Sequence, residues 1–390
     1  YLMRGQTLLG TGTPSLESFY NARQGKYGLV YLQSRYGDLA MPQINIVNLK
    51  DGHVRRTMKS EFSNQLYQRL KANIEQGYQN ILFQNRRGYA PFIQCQTCGW
   101  VPECVNCDIS LPYHKYFKEL RCHLCGYRTG NPSYCSDCGS TALSMRGFGT
   151  EKLADELKTL FPEERILRLD QDTTARKNAY QHIIQEFEKG HAGLLVGTQM
   201  VTKGLDFERV RLVGIVSADQ MLKFPDFRAQ EKSFQLMTQV SGRSGRKAEQ
   251  GAVLIQTYLP EHPIFQYLQN YDFEGFYEHE LNERYAFGYP PFYRLIRLEL
   301  KASELETVRE GANVLAKQLR SYFQHRLLGP ELPPVMRVKN QYLMTILLKL
   351  EKQNLNLKAA KRQLLQTIAT FQQEPPYKRV RVNVDVDPLN

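Results

Sequence analysis

Leu194-Leu195-Val196-Gly197-Thr198-Gln199-Met200 runs off a short apolar strand into a Gly/Thr loop, and Lys203-Gly204-Leu205-Asp206-Phe207 follows it. So short and so apolar a run reads as a strand buried on both faces. Upstream, the pattern predicts a helix over about 152–160, stopped near Pro162, then a strand over 166–169 and a helix over about 177–188. Downstream come a strand over 211–216, a helix over 230–240 and a strand over 252–257. Strand–helix alternation of this kind implies a parallel sheet covered on both faces, so the fold class is α/β. Farther out, Phe62, Leu66, Leu70 and Ile74 form one helical stripe over 61–76, stopped by Gly77. Ile81-Leu82-Phe83 is then a short buried strand leading into Asn85-Arg86-Arg87-Gly88. Residues 26–60 read as short strands broken by Gly37, Pro42 and the Asp51-Gly52 turn. Residues 260–292, rich in Tyr, Phe and Pro, read as a connecting segment. The remainder reads strand, helix (304–323), strand (343–350), helix (357–371), strand (379–386), which is a separate small α+β domain.

At 390 residues the chain exceeds what one hydrophobic core usually serves, so two to four domains are expected. Apolar residues make up 42%, enough for globular cores, and no stretch of about 18 apolar residues is available for a membrane-spanning helix. Fifty-one Lys and Arg against 39 Asp and Glu leave a net charge of +12, which suits a polyanionic partner, most often nucleic acid. The 23 Tyr and 19 Phe argue against disorder. The chain opens with Tyr1, in a segment that reads like the middle of a longer protein, and so reads as a fragment.

All 8 cysteines fall between Cys95 and Cys138, in four Cys-x-x-Cys pairs: Cys95/Cys98, Cys104/Cys107, Cys122/Cys125 and Cys135/Cys138. Two intervening residues let both sulfurs face one ion, and two pairs complete a tetrahedral thiolate site. Gly99, Gly126 and Gly139 follow three of the pairs and permit the tight turn of a metal knuckle. Free core cysteines, a redox dithiol or a disulfide cluster fit four equal spacings poorly. Two structural zinc ions are expected, with iron the less suited occupant. Spacing alone leaves sequential and nested pairing both open. His114 and His123 read as surface or DNA-facing residues, since eight thiolates already suffice.

A second loop, Gln239-Val240-Ser241-Gly242-Arg243-Ser244-Gly245-Arg246, ends the 230–240 helix. Two arginines three apart beside glycines can present guanidiniums to a phosphate, or form a solvated basic turn; the Gly-Thr-Gln loop favours a nucleotide cleft. Gln-x-x-Gly-Arg-x-Gly-Arg resembles the sixth motif of superfamily-two helicases. Gly197 through Phe207 resembles their fifth, and Gly10-Thr11-Gly12-Thr13-Pro14-Ser15 their third. Pro225-Asp226-Phe227-Arg228-Ala229, Asn85 through Pro91, and the eight-cysteine insertion narrow the likeness to the bacterial replication-restart helicases, the PriA (primosomal protein N′) family. It runs from the third motif to Asp385-Val386-Asp387-Pro388.

The resemblance implies a RecA-like helicase lobe with an inserted zinc module and a small C-terminal α+β domain. It divides the chain into the end of lobe one (1–25), the first part of lobe two (26–93), the zinc insertion (94–140), the rest of lobe two (141–258), a connecting segment (259–292) and a DNA-binding domain (293–390). It further implies ATP-driven 3′ to 5′ unwinding, fork recognition and primosome assembly. Partners would be branched and single-stranded DNA, single-stranded DNA-binding protein, other primosome proteins and the replicative helicase loader, in the bacterial cytoplasm at the nucleoid. Zinc pairing would be nested: Cys95, Cys98, Cys135 and Cys138 on one ion, Cys104, Cys107, Cys122 and Cys125 on the other. Arg243, Arg246 and Gln239 would be the ATPase residues, and Gly197, Thr198, Gln199, Lys203, Gly204 and Asp206 would couple nucleotide to DNA; Thr13 and Ser15 would link the lobes. The sequence departs from the family in lacking a P-loop and a Mg²⁺-holding Asp-Glu-x-His string, and in placing Leu205 where His is frequent. These residues therefore carry half of an ATPase site, with ATP and Mg²⁺ expected in the full-length enzyme. A non-catalytic primosome loader with structural zinc fits the same residues, and a stand-alone zinc-ribbon RNA binder fits them less well because of Arg243 and Arg246.

Overall fold

The computed structural model describes residues 7–32, 41–54, 57–85, 92–105, 109–114, 119–122, 126–146, 150–174, 176–202, 207–245, 251–333, 335–353 and 355–388. In chain order α1 (Leu16–Arg23) is followed by β1 (Gln43–Asn48), α2 (Leu49–Val54), α3 (Asn64–Glu75) and β2 (Gln79–Phe83). Five short strands accompany the cysteines: β3 (Phe92–Cys95), β4 (Tyr113–His114), β5 (Glu119–Arg121), β6 (Arg128–Gly130) and β7 (Leu143–Arg146). The chain then alternates through α4 (Thr150–Leu160), β8 (Ile166–Leu169), α5 (Ala179–Glu188), β9 (Leu194–Gly197), β10 (Val210–Ile215), α6 (Asp219–Leu222), α7 (Ala229–Ser241) and β11 (Ala252–Thr257).

Six of these strands form one sheet in the order β1-β11-β10-β2-β9-β8, every pairing parallel. Every residue of β2 and β9 is buried, because helices cover both faces. The two-residue period of a strand sorts their side chains: Ile81, Phe83, Leu195, Val213 and Ile255 enter one core, while Leu82, Leu194, Val196, Leu212 and Leu254 enter the other. Leu66 and Leu70 of α3 and Leu153 and Leu157 of α4 seal the second core. Ser63 caps α3 by accepting a hydrogen bond from the Leu66 amide at 3.2 Å.

Two expectations change. Asp51-Gly52 lies inside the short helix α2, and β1 is the one strand among the described residues of 26–60. Residues 260–292 contain α8 (Ile264–Gln269) and α9 (Phe273–Ala286). Ile264, Phe265, Leu268, Phe276 and Tyr277 complete the core that Phe234 and Met237 of α7 begin, and Phe276 stacks on Phe234 at 4.3 Å. Leu16 and Phe19 of α1 enter the same core. Of the aromatics between 258 and 293, Tyr258, Phe265, Phe276, Tyr277 and Tyr289 are buried, whereas Tyr285 is 68% exposed.

The C-terminal unit comprises β12 (Tyr293–Ala302), α10 (Leu305–Phe323), β13 (Leu327–Glu331), β14 (Arg337–Val338), β15 (Gln341–Glu351), α11 (Leu357–Gln373) and β16 (Arg381–Val386). Its antiparallel sheet, ordered β13-β15-β12-β16, buries one face under α10 and α11. Strand β13 was hidden in the sequence by Gly329-Pro330, which an edge strand with a register shift accommodates. The opposite face meets the parallel-sheet lobe, where Leu295 and Leu347 pack with Tyr289 and Phe227.

Candidate functional site

Strand β9 delivers the Gly/Thr loop to the carboxyl edge of the sheet, the place where open α/β sheets bind ligands. A Cβ at Gly197 would lie 2.2 Å from Val201 Cγ1 and 3.1 Å from the Leu169 carbonyl, so only glycine lets the chain turn there. The Thr198 amide donates to the Leu169 carbonyl at 3.2 Å, and the Thr202 hydroxyl donates to the Gln199 carbonyl at 2.7 Å. Thr198 is buried and Gln199 is half-buried. Lys203, Gly204 and Asp206 lie outside the described residues.

Asp170, one residue beyond β8, holds the neighbouring turn. It is fully buried and accepts hydrogen bonds from the Thr150 hydroxyl at 2.5 Å, the Asp172 and Thr173 amides at 3.0 and 2.9 Å, and Arg168 at 2.9 Å. Burial opposes its ionisation, yet the Thr150 hydroxyl, the Thr173 amide and Arg168 draw its carboxyl down to about 2. Nothing in the local spacing marked this residue, because Thr150 and Arg168 reach it only through the fold.

At the end of α7 the Gly242, Arg243 and Ser244 amides donate to the carbonyls of Thr238, Val240 and Ser241. The Ser244 hydroxyl bonds the Arg211 carbonyl at 3.1 Å, fastening the turn to the start of β10. Arg243 Nη2 donates to the Thr202 carbonyl at 2.5 Å. The two loops picked out in the sequence are thereby joined. Gln239 is exposed one turn earlier on α7, and Arg246 lies outside the described residues.

Thr13 is buried, and Ser15 caps α1 through the Ser18 amide at 3.2 Å. The same segment is tied to α7: the Leu16 amide donates to Glu231 Oε1 at 2.9 Å, and Gln235 Nε2 donates to the Pro14 carbonyl at 3.2 Å. Behind these contacts is a buried ion network that local spacing also concealed. Arg284, 2% exposed, pairs with Glu231 at 2.6 Å and Glu17 at 3.4 Å, and Arg228 pairs with Glu17 at 2.8 Å. Burial alone would raise the Glu17 carboxyl, but Arg284 and Arg228 hold it below the usual range.

The cysteine module repeats one backbone device. The amides of Cys95, Cys104, Cys122 and Cys135 donate to the carbonyls five residues on, in Trp100, Ile109, Tyr127 and Ser140. Gly99, Gly126 and Gly139 donate back to the first cysteine of their pairs, at φ values of 84°, 81° and 72° that favour glycine. Pairing of β3 with β7 brings the first and last knuckles together. The Sγ atoms of Cys95, Cys98, Cys135 and Cys138 all lie within 4.8 Å of one another, with Cys95–Cys138 at 3.7 Å and Cys98–Cys135 at 3.4 Å. A tetrahedron with zinc–sulfur arms of about 2.3 Å has edges of about 3.8 Å, so the donor set fits that ion. Burial resists ionisation of the Cys95 thiol, yet the amides of Cys98 and Thr97 bring it down to about 7. Cys104 and Cys122 are buried in the same module, while Cys107 and Cys125 lie outside the described residues.

The module is wedged between the other units. A Cβ at Gly99 would lie 2.4 Å from Tyr258 Cβ, and Arg121 makes a buried ion pair with Glu331 of the C-terminal unit. Glu103 pairs with Lys223, which precedes α7. Among the described residues no helix is long and apolar enough to cross a membrane.

Three family models match the chain: the primosomal protein N C-terminal domain over 285–389, the PriA DNA helicase Cys-rich region over 104–129, and the helicase conserved C-terminal domain over 146–248. The Cys-rich match spans Cys104, Cys107, Cys122 and Cys125 and none of the outer four. The replication restart protein PriA of Bacillus subtilis is 39% identical over 98% of this chain and 47% of its own length. That of Haemophilus influenzae is 37% identical over 98% of this chain and 51% of its own. The chain thus spans about half the length of these curated relatives. A solved structure of S. cerevisiae Dbp5 bound to RNA and ADP BeF3 is similar at a TM-score of 0.30 and 11% identity, over 63% of this chain and 45% of that one, a likeness too low to bear on the argument. With a parallel RecA-like helicase lobe, a cysteine-rich zinc ribbon and a C-terminal antiparallel domain in this order, the chain belongs to the PriA family of replication restart proteins.

Proposed function

We propose that this chain supplies the second half of the ATP site in a 3′ to 5′ DNA helicase that recognises forked DNA and restarts replication by assembling the primosome. The observation that carries the reading is the hydrogen bond from Arg243 to the Thr202 carbonyl, which joins the arginine turn to the Gly/Thr loop. Anchoring a planar guanidinium on a backbone carbonyl fixes the direction of its fork, as stabilising a transferring phosphoryl group requires. Arg243, with Arg246 beside it in sequence, would meet the γ-phosphate across a cleft formed with lobe one. Gln239 would report the nucleotide, and Thr198, Gln199 and Lys203, in the Gly197–Asp206 stretch, would pass closure to the DNA backbone. The Mg²⁺ of such a site has no candidate ligand among the motifs here, since the P-loop and its acidic partner are absent from the 390 residues.

Zinc would be held by Cys95, Cys98, Cys135 and Cys138, and a second ion by Cys104, Cys107, Cys122 and Cys125. Bound there, zinc supplies cross-linking of knuckles and no open coordination position. The net charge of +12 supplies phosphate contacts to branched and single-stranded DNA. Primosome proteins, single-stranded DNA-binding protein and the helicase loader complete the proposed partners, at the bacterial nucleoid. The test is the 390-residue chain by itself. It should bind forked DNA with an affinity that falls steeply as salt rises, and hydrolyse no ATP. DNA-stimulated phosphate release, or binding indifferent to salt, contradicts the reading.

A further inference from the structure

We infer that α7 is a strut setting the arginine turn against the Thr13–Ser15 segment, with Glu231 and Gln235 as its positioning residues. Glu231, Gln235 and Gln239 recur every four residues and so follow one face of the helix, and Arg243 comes one step later, just past its end. The first two hold the interlobe segment. Glu231 accepts the Leu16 amide, and Gln235 donates both to the Pro14 carbonyl at 3.2 Å and to Glu231 Oε1 at 3.3 Å. The latter two are the residues assigned to the nucleotide.

The strut is stiff. Phe234, Met237 and Val240 are buried in the core, and Ser233 and Ser241 fold their hydroxyls back onto Ala229 and Met237 carbonyls. Its near end cannot slide, because Arg284 grips Glu231 at 2.6 Å and Glu17 of α1 at 3.4 Å. A helix rises about 1.5 Å per residue, so Glu231 and Arg243 are separated by about 18 Å of nearly incompressible backbone. Displacement of the Pro14–Leu16 segment is therefore delivered to Arg243 and, through its bond to the Thr202 carbonyl, to the Gly/Thr loop.

The inference rests on the proposed ATPase reading, and the experiment separates the two. In the full-length protein, DNA-stimulated ATP turnover and thermal melting are measured for Gln235→Ala, Gln235→Lys, Glu231→Gln and Arg243→Ala. Gln235→Ala and Glu231→Gln should each lower kcat by about 10-fold, since small misplacements of reacting groups cost that much or more. For Gln235→Ala, KM for ATP should stay within about twofold and melting should be unchanged, the signature of lost transition-state positioning. Gln235→Lys, whose ammonium reaches the same carbonyl, should recover most of the turnover. Wild-type kcat in Gln235→Ala beside an inactive Arg243→Ala overturns the strut and leaves the ATPase reading standing. A joint fall of kcat and melting temperature in Gln235→Ala overturns it too, because that marks a structural role alone. Full turnover by Arg243→Ala overturns the underlying reading and the strut with it.

Discussion

Replacing Asp170 by Asn tests how the Gly/Thr loop is held. The carboxylate accepts from four donors at once: the Thr150 hydroxyl, the Asp172 and Thr173 amides, and the Arg168 guanidinium. Its pKa is drawn from an ordinary 3.8 to about 2. Since one pKa unit corresponds to 1.36 kcal/mol, the folded environment favours the charged form by about 2 kcal/mol. The folded-state value is the lower one, so this stabilisation is complete above about pH 5 and drains away as pH falls through 3.8 toward 2. The Asp170→Asn side chain would keep one accepting oxygen but turn an NH₂ group toward donors. At pH 7 the variant should lose about 2 kcal/mol locally, a roughly 30-fold drop in hydrogen-exchange protection of the Thr173 amide. The Thr198 amide, bonded to the Leu169 carbonyl next door, should lose protection with it. The gap between wild type and variant should narrow as pH is lowered from about 5 to about 3. Unchanged protection at Thr173, or a loss of the same size at every pH, would show that the Asp170 carboxylate does not hold this turn.

Metal analysis of the purified chain should return about two zinc ions per molecule. Cys95→Ser and Cys135→Ser should remove the same ion and leave the other, whereas loss of different ions would show sequential pairing. Gly99→Ala forces a side chain to φ 84° and into Tyr258, so thermal melting should fall, with a backbone cost alone of about 1–2 kcal/mol; an unchanged melt contradicts the close contact. Arg121→Ala strands the buried Glu331 carboxylate, at about 3–5 kcal/mol, and should free the cysteine module for proteolysis; the Arg121→Met, Glu331→Leu double variant should cost less.

Where the chemistry is local, the sequence already showed it. The apolar runs of β2 and β9 and the stripe of α3 follow from strand and helix periods, and the cysteine spacing announces its knuckles four times over. Helix α9 escaped because its aromatics serve several neighbours, so no clean stripe separates Phe276 and Tyr277 from the polar positions. Strand β13 escaped because Gly329-Pro330 breaks a pattern that an edge strand can tolerate. Long-range partnerships left no mark at all. Nothing near Glu17 points to Arg228, 211 residues away, nor does Arg121 point to Glu331, 210 away. Spacing also left the cysteine pairing open, and it is the β3–β7 pairing that draws the outer four sulfurs together.

The role proposed for Arg243 in phosphoryl transfer is tested by DNA-dependent ATP turnover of the full-length protein carrying Arg243→Ala. Removal of an arginine finger typically costs about 10³–10⁵ in turnover, and Arg243→Lys should restore little, because an ammonium lacks the bidentate fork. Turnover should fall by at least about 10³-fold while fork binding is retained. Turnover within a few-fold of wild type would contradict it and leave the bond from Arg243 to Thr202 as a structural contact alone.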